Sequence, residues 1–178
     1  MRQNIGIVIM VVVFVVCGLS QNHANAKETV NTVMKEAPKA NHLAPSFELA
    51  GLDGKSYRVG GQRDKLLLIN FWASWCEPCH MEAGDLQSIY NTYKDQLDLY
   101  AVNATYMDNQ AEALDFVSEY ELTFPTLFDL SGDVARDKYW IDGYPTSYLV
   151  NQAGVIAEIY FGVIDKSILE RDIKKLLN

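Results

Sequence analysis

The chain has 178 residues, with 15 Lys and Arg against 23 Asp and Glu, a net charge of −8, and 49% apolar residues. That apolar share fills the core of one ordinary domain, while a pI of about 4.8 leaves nothing to neutralise a phosphate backbone, so nucleic-acid binding is excluded. There are no blocks of like charge, low-complexity tracts or internal repeats, which excludes wholesale disorder and solenoids, and three cysteines are too few for a disulfide-stapled miniature fold.

The first 26 residues differ from the rest. Arg2 is their only charge, and the apolar run from Ile5 to Leu19 spans roughly 22 Å as a helix, short of the ~20 residues of a usual membrane span. Polar residues follow, then Ala24-Asn25-Ala26. This order reads as a secretory signal cleaved after Ala26, or as an uncleaved anchor where the bilayer thins locally. Acylation of Cys17 is a weaker option, because bulky Val16 stands where a small residue is needed. All three place the rest of the chain outside the cytoplasm. Residues 27–42 are polar, with Pro38 and Asn41 and no steady apolar period, and read as a tether to a domain over 43–178.

Within that domain, Ala44 to Leu49 alternates like a strand, Asp53-Gly54 is a two-residue turn, and Ser56 to Val59 returns. Lys65 to Phe71, with its unbroken Leu66-Leu67-Leu68-Ile69, predicts a central strand buried on both faces. Residues 77–94 predict a helix with Leu86, Ile89, Tyr90 and Tyr93 on one side. A strand is predicted over Leu97 to Asn103 and a helix over Asn109 to Tyr120, with Ala113, Leu114, Phe116 and Val117 inward. Then come a short strand (Thr126 to Phe128), a third helix (Asp133 to Trp140), a hairpin of Thr146 to Val150 with Val155 to Phe161, and a last helix capped by Asp165. Strand–helix alternation followed by a hairpin predicts an α/β domain: a central mixed sheet with helices on both faces.

The segment Asn70-Phe71-Trp72-Ala73-Ser74-Trp75-Cys76-Glu77-Pro78-Cys79 carries the chemistry. Loss of Cys17 with a signal leaves Cys76 and Cys79 as a pair in an exported protein, which reads as a disulfide. A bridge across two residues closes almost no loop and removes little unfolded-state entropy, so it is a poor staple and better suited to being made and broken. Cys76 falls at a helix N-terminus, where free N–H groups and the dipole favour a thiolate; it is the candidate attacking sulfur, with the deeper Cys79 as resolving thiol. Pro78 in the first turn loses no hydrogen bond there.

FWASWCEPC after an aliphatic strand resembles the thioredoxin-like superfamily, and within it the exported TlpA/ResA group of thiol–disulfide oxidoreductases. The resemblance covers about residues 43–178 and includes the APSFEL…LDGK hairpin, a helix–strand insertion between about 104 and 129, and YPTSYLV. It implies a thioredoxin-like fold in which Pro145 is cis and lies against the cysteines. It also implies that the backbone of Tyr144 receives an extended substrate by strand addition, and that Glu82 handles protons during exchange. A carboxylate there raises thiol pKa values and can act as a local base. Glu77 is expected at the surface, where its repulsion of the Cys76 thiolate favours a reducing couple; Trp75 is a candidate substrate contact. The chain departs from the family pattern at Asn70, where thioredoxins have a buried aspartate, and at Gly84, where the group has a helix-kinking proline. Both departures bear on how Glu82 is placed.

The reading that results is a monomeric protein-disulfide reductase that works through Cys76 and Cys79, with no metal and no cofactor beyond that disulfide. The resemblance implies substrates such as apocytochrome c or envelope and spore proteins, and recharging by a membrane thiol–disulfide electron-transfer protein. An oxidant on the same fold is one alternative. Another is a c-type haem protein, because Cys76-Glu77-Pro78-Cys79-His80 satisfies C-x-x-C-H with His80 as ligand and Met107 as a possible second; the strand-rich context opposes it. Zinc would need more ligands than the domain offers, and no P-x-x-x-T-x-x-C peroxiredoxin pattern occurs.

Overall fold

The computed structural model describes residues 34–178. The expected signal or anchor, and residues 27–33 of the expected tether, lie outside the described residues. The remaining stretch, 34–42, is not a free tether: Asn41 N–H bonds Ile156 O, Ile156 N–H bonds His42 O, and Leu43 N–H bonds Lys35 O. Polar composition hid this, because backbone groups make most of the attachment, aided by Glu36, which accepts from Ser46 N–H and Oγ.

Strand β1 (Phe47–Ala50) pairs antiparallel with β2 (Ser56–Val59), placing Phe47 opposite Val59. Then follow β3 (Leu66–Trp72), α1 (Glu77–Tyr93), β4 (Leu97–Asn103), a 3-10 turn (Thr105–Met107), α2 (Gln110–Glu119) and β5 (Thr126–Phe128). A wide helical turn (Asp133–Lys138), β6 (Thr146–Val150), β7 (Ile156–Phe161) and α3 (Lys166–Leu177) complete the chain. The main sheet has the order β5-β4-β3-β6-β7, with β3, β4 and β5 parallel and β6 antiparallel to both β3 and β7.

All seven residues of β3 are buried, as the aliphatic run predicts. Leu66, Leu68 and Trp72 pack with Ala83, Leu86 and Ile89 of α1, Phe116 of α2 and Ile173 of α3. Leu67, Ile69 and Phe71 pack on the other side with Phe47, Val59, Val134 and Tyr139. Each such side chain contributes ~1.5–3 kcal/mol by leaving water. The expectation of helices on both faces is thus only partly met. All three α-helices cover one face, and the other is closed by the β1–β2 hairpin with the turn at 133–138. That turn is also shorter than the helix expected to Trp140. Trp140 has left-handed φ (53°), and the buried Asp129 carboxylate takes the Gly132 and Ala135 N–H groups, which fixes where the turn begins. Leu114, predicted inward, is exposed. Among the described residues no helix is long and apolar enough to cross a membrane.

Two glycines should respond oppositely to alanine. Gly84 sits in the exposed interior of α1, and a methyl group there meets nothing within 4 Å, so Gly84→Ala should stabilise by about 1 kcal/mol. Gly154 has φ 81°, and a methyl group there would run into the Gly61 carbonyl, so Gly154→Ala should destabilise by more than ~1 kcal/mol. Urea denaturation of both variants measures the pair.

Candidate active site

The central strand ends where the chemistry begins. After β3, three residues lead to Cys76, which is the N-cap of α1, with Glu77 and Pro78 opening the helix. Cys76 and Cys79 are joined in a disulfide, with Cα atoms 5.3 Å apart. The Cys79 N–H donates to the Cys76 carbonyl at 2.9 Å and is shared with the Cys76 sulfur at 3.2 Å, so a first-turn donor of the helix points at the expected attacking sulfur. The expected contrast in exposure is absent: Cys76 is 3% and Cys79 2% exposed. The helix start that stabilises Cys76 also folds its sulfur inward to bridge Cys79.

Beside the cysteines stands the loop before β6. The Tyr144–Pro145 bond is cis, and Pro145 is buried. The Tyr144 ring meets Trp75 edge to face at 5.9 Å, while its hydroxyl lies 3.2 Å from that of Tyr106. Trp75 is 53% exposed, so this aromatic pair is accessible from solvent next to the dithiol. Glu77 and Pro78 are exposed on the same rim.

Glu82, three residues past Cys79, is in a different setting. It is 2% exposed, accepts Asn70 Nδ2 at 2.8 Å and the Ile164 N–H at 3.0 Å, and among the described residues no cation pairs with it. Burial outweighs those two hydrogen bonds and pushes its pKa up to about 7. Asn70, the first departure from the family pattern, therefore acts as the donor that orients Glu82, and its amide also reaches Ser147 Oγ at 2.9 Å. Asn70 and Cys79 line one cavity of about 10 Å³ between β3 and α1, together with Trp72. Gly84, the second departure, leaves α1 unbroken, and Glu82 is nevertheless held.

The segment between β3 and Cys76 involves residues that sequence reasoning passed over. Ser74 is bound by Asp108 through both its N–H and its hydroxyl, and by His80 through its carbonyl. Sequence reasoning gave Asp108 no role and named His80 only as a possible haem ligand. The Ile164 N–H on Glu82 is a backbone group and has no sequence signature. His80 has both ring nitrogens occupied, by Ser74 O and Tyr120 Oη, and the two cysteines are bonded to each other. Among the described residues no three His, Cys, Asp or Glu side chains gather as a metal site.

An N-cap disulfide at the end of a central strand, with a cis-proline loop whose Tyr144 meets the neighbouring Trp75, on this mixed sheet, defines a thioredoxin-fold thiol–disulfide oxidoreductase. Residues 40–159 match the AhpC/TSA family, and the chain belongs to that thioredoxin-like family. It is 36% identical over 129 residues to the thioredoxin-like protein YneN of Bacillus subtilis, covering 72% of this chain and 75% of that one. It is 31% identical over 143 residues to the thiol–disulfide oxidoreductase ResA of Geobacillus kaustophilus, covering 80% of each. The crystal structure of StoA from Bacillus subtilis superposes with a TM-score of 0.63 at 30% identity, over 72% of this chain and 97% of that one.

The buried carboxyl sets a pH dependence. Its folded pKa of about 7 lies above the ordinary 4.5, so the folded state holds a proton that the unfolded state has released between those values. The stabilisation is complete below about pH 4.5 and is lost as pH rises through 7, a change on the order of 3 kcal/mol. Denaturation of the natural protein and Glu82→Gln across pH 4–8 should show this slope in the former only.

Proposed function

We propose that the protein works outside the cytoplasm as a reductant of protein disulfides, with Cys76 as nucleophile, Cys79 as resolving thiol and Glu82 as the proton-handling group. The observation that carries the reading is the buried Glu82 carboxyl with a pKa near neutrality, one helical turn from Cys79 and tied to Asn70, which lines the same cavity as that cysteine. In the reduced protein the Cys76 thiolate attacks a substrate disulfide, a mixed disulfide forms, and one substrate thiolate leaves. Cys79 gives its proton to Glu82 and attacks the Cys76 sulfur. The internal disulfide closes, the second substrate thiol departs, and two electrons have passed to the substrate.

Charge supports this direction. Glu77 adjoins Cys76 in the first turn, and α1 has no basic residue in its last turn. Its repulsion of a Cys76 thiolate opposes the helix dipole and favours the disulfide form, which makes the dithiol the better donor. Trp75, Tyr144 and Pro145 receive an extended stretch of substrate, with Glu77 and Pro78 on the rim. The apolar N-terminal run supports export, and a membrane thiol–disulfide carrier would supply electrons. Substrates of the cytochrome c maturation or envelope and spore assembly type fit the resemblance to the TlpA/ResA group.

Two measurements test the proposal. Cys76→Ser should abolish reduction of insulin disulfides, and Cys79→Ser should accumulate the mixed disulfide, visible by mass spectrometry; full activity in Cys76→Ser would overturn the assignment. Equilibration of residues 27–178 in thiol buffers should then place the couple toward about −270 mV, and a value near about −120 mV would make the protein a disulfide donor instead.

A further inference from the structure

Ser74, two residues before Cys76, has no free polar group. Its N–H donates to Asp108 Oδ2 at 2.7 Å, its hydroxyl donates to Asp108 Oδ1, and its carbonyl accepts from His80 Nε2 at 2.8 Å. Asp108 is fixed in turn by Asn103 Nδ2 (2.6 Å) and the Asn109 N–H (2.8 Å). His80 is fixed by Tyr120 Oη at 3.0 Å and by packing against Phe116, with ring centroids 4.7 Å apart. Asp108, Phe116 and Tyr120 all belong to the stretch between β4 and β5, so this insertion grips the strand-to-helix turn that presents the cysteines.

A carbonyl only accepts, so Nε2 of His80 carries the proton, and Nδ1 of the neutral ring accepts from the Tyr120 hydroxyl. Protonation turns Nδ1 into a donor to the same oxygen, and both contacts survive. Glu77 and Glu119 are the charged groups that act on that hydroxyl.

We propose that His80 and Asp108 are positioning residues for the dithiol: through Ser74 they keep Cys76 at the N-cap of α1 when the disulfide is open. In the oxidised protein the bond to Cys79 holds Cys76 in place covalently. In the reduced protein that restraint is gone, and the clamp on Ser74 is what keeps the sulfur against the Cys79 N–H, where a thiolate is favoured. The clamp therefore stabilises the dithiol more than the disulfide. Loss of the clamp should make the couple more reducing and slow Cys76 at neutral pH. A residue that merely stabilised the fold would affect both forms equally and leave the potential unmoved.

The test uses purified residues 27–178 in three variants: His80→Ala, His80→Gln, whose Nε2 reaches the same carbonyl, and Tyr120→Phe. The readouts are the thiol-buffer equilibrium and the pH profile of iodoacetamide alkylation, with the modified cysteine identified by peptide mass. His80→Ala should shift the equilibrium about tenfold toward the disulfide, about 30 mV more negative, and move the Cys76 alkylation profile to higher pH. His80→Gln should restore most of both, and Tyr120→Phe should give a smaller shift of the same sign. An unchanged equilibrium and profile in His80→Ala overturns the proposal. If His80→Ala does not fold, an unchanged Tyr120→Phe overturns it. The inference rests on Cys76 as the attacking sulfur. If Cys79 is alkylated first in the natural protein, that reading fails, while the equilibrium shift still reports on the clamp.

Discussion

Burial of β3 on both faces is the constraint from which the rest of the molecule follows. A seven-residue strand with no exposed side chain needs apolar cover above and below, and this chain finds it in unlike materials: three helices on one face, a hairpin and a single wide turn on the other. Because the strand is central and parallel to β4, its C-terminal end opens onto the edge of the sheet where α1 starts. The cysteines stand at that edge. Their reactivity is a property of position before it is one of neighbouring side chains, since the same helix start that ends the strand supplies the N–H that meets Cys76.

Two glutamates on one helix then divide the electrostatics. Glu77 is exposed beside Cys76, where in the proposed mechanism it acts by repulsion through a high-dielectric medium. Glu82, five residues on, points into the protein, where burial brings its titration into the neutral range. A thiol that must lose its proton to attack is served by a base of similar pKa nearby, and a solvated carboxylate with an ordinary pKa would be a poor one. Asn70 makes this possible without adding charge. An aspartate at that position would place a second carboxylate against Glu82, and one of the two would have to remain protonated.

The strand and helix order was legible because apolar periodicity is strong here: Leu66 to Ile69, the alternation of the hairpin, and the Asp165 cap all fall where the pattern puts them. The dithiol and the cis-proline loop were legible through the family resemblance. What was not legible is of one kind. The docking of residues 34–42, the Ile164 N–H on Glu82, and the binding of Ser74 by Asp108 and His80 are contacts between polar groups far apart in sequence, several of them backbone groups. Hydrophobic pattern has no access to these. The distribution of helices over the two faces was missed for a related reason, since periodicity identifies an apolar face but not the side of the sheet it meets.

The insertion between β4 and β5 adds little to the sheet, with β5 only three residues long. Its larger contribution is polar and local: Asp108, Phe116 and Tyr120 converge on Ser74 and His80 at the base of the reactive turn. In the proposed cycle the protein passes through two covalent states, and the clamp on Ser74 would keep the turn ordered in both. Otherwise each turnover would pay the entropy of ordering the turn again. A short disulfide cannot provide that hold, because it is absent in one of the two states. Hydrogen bonds from outside the dithiol do not depend on that bond, and whatever difference they make between the two states appears directly in the equilibrium between dithiol and disulfide.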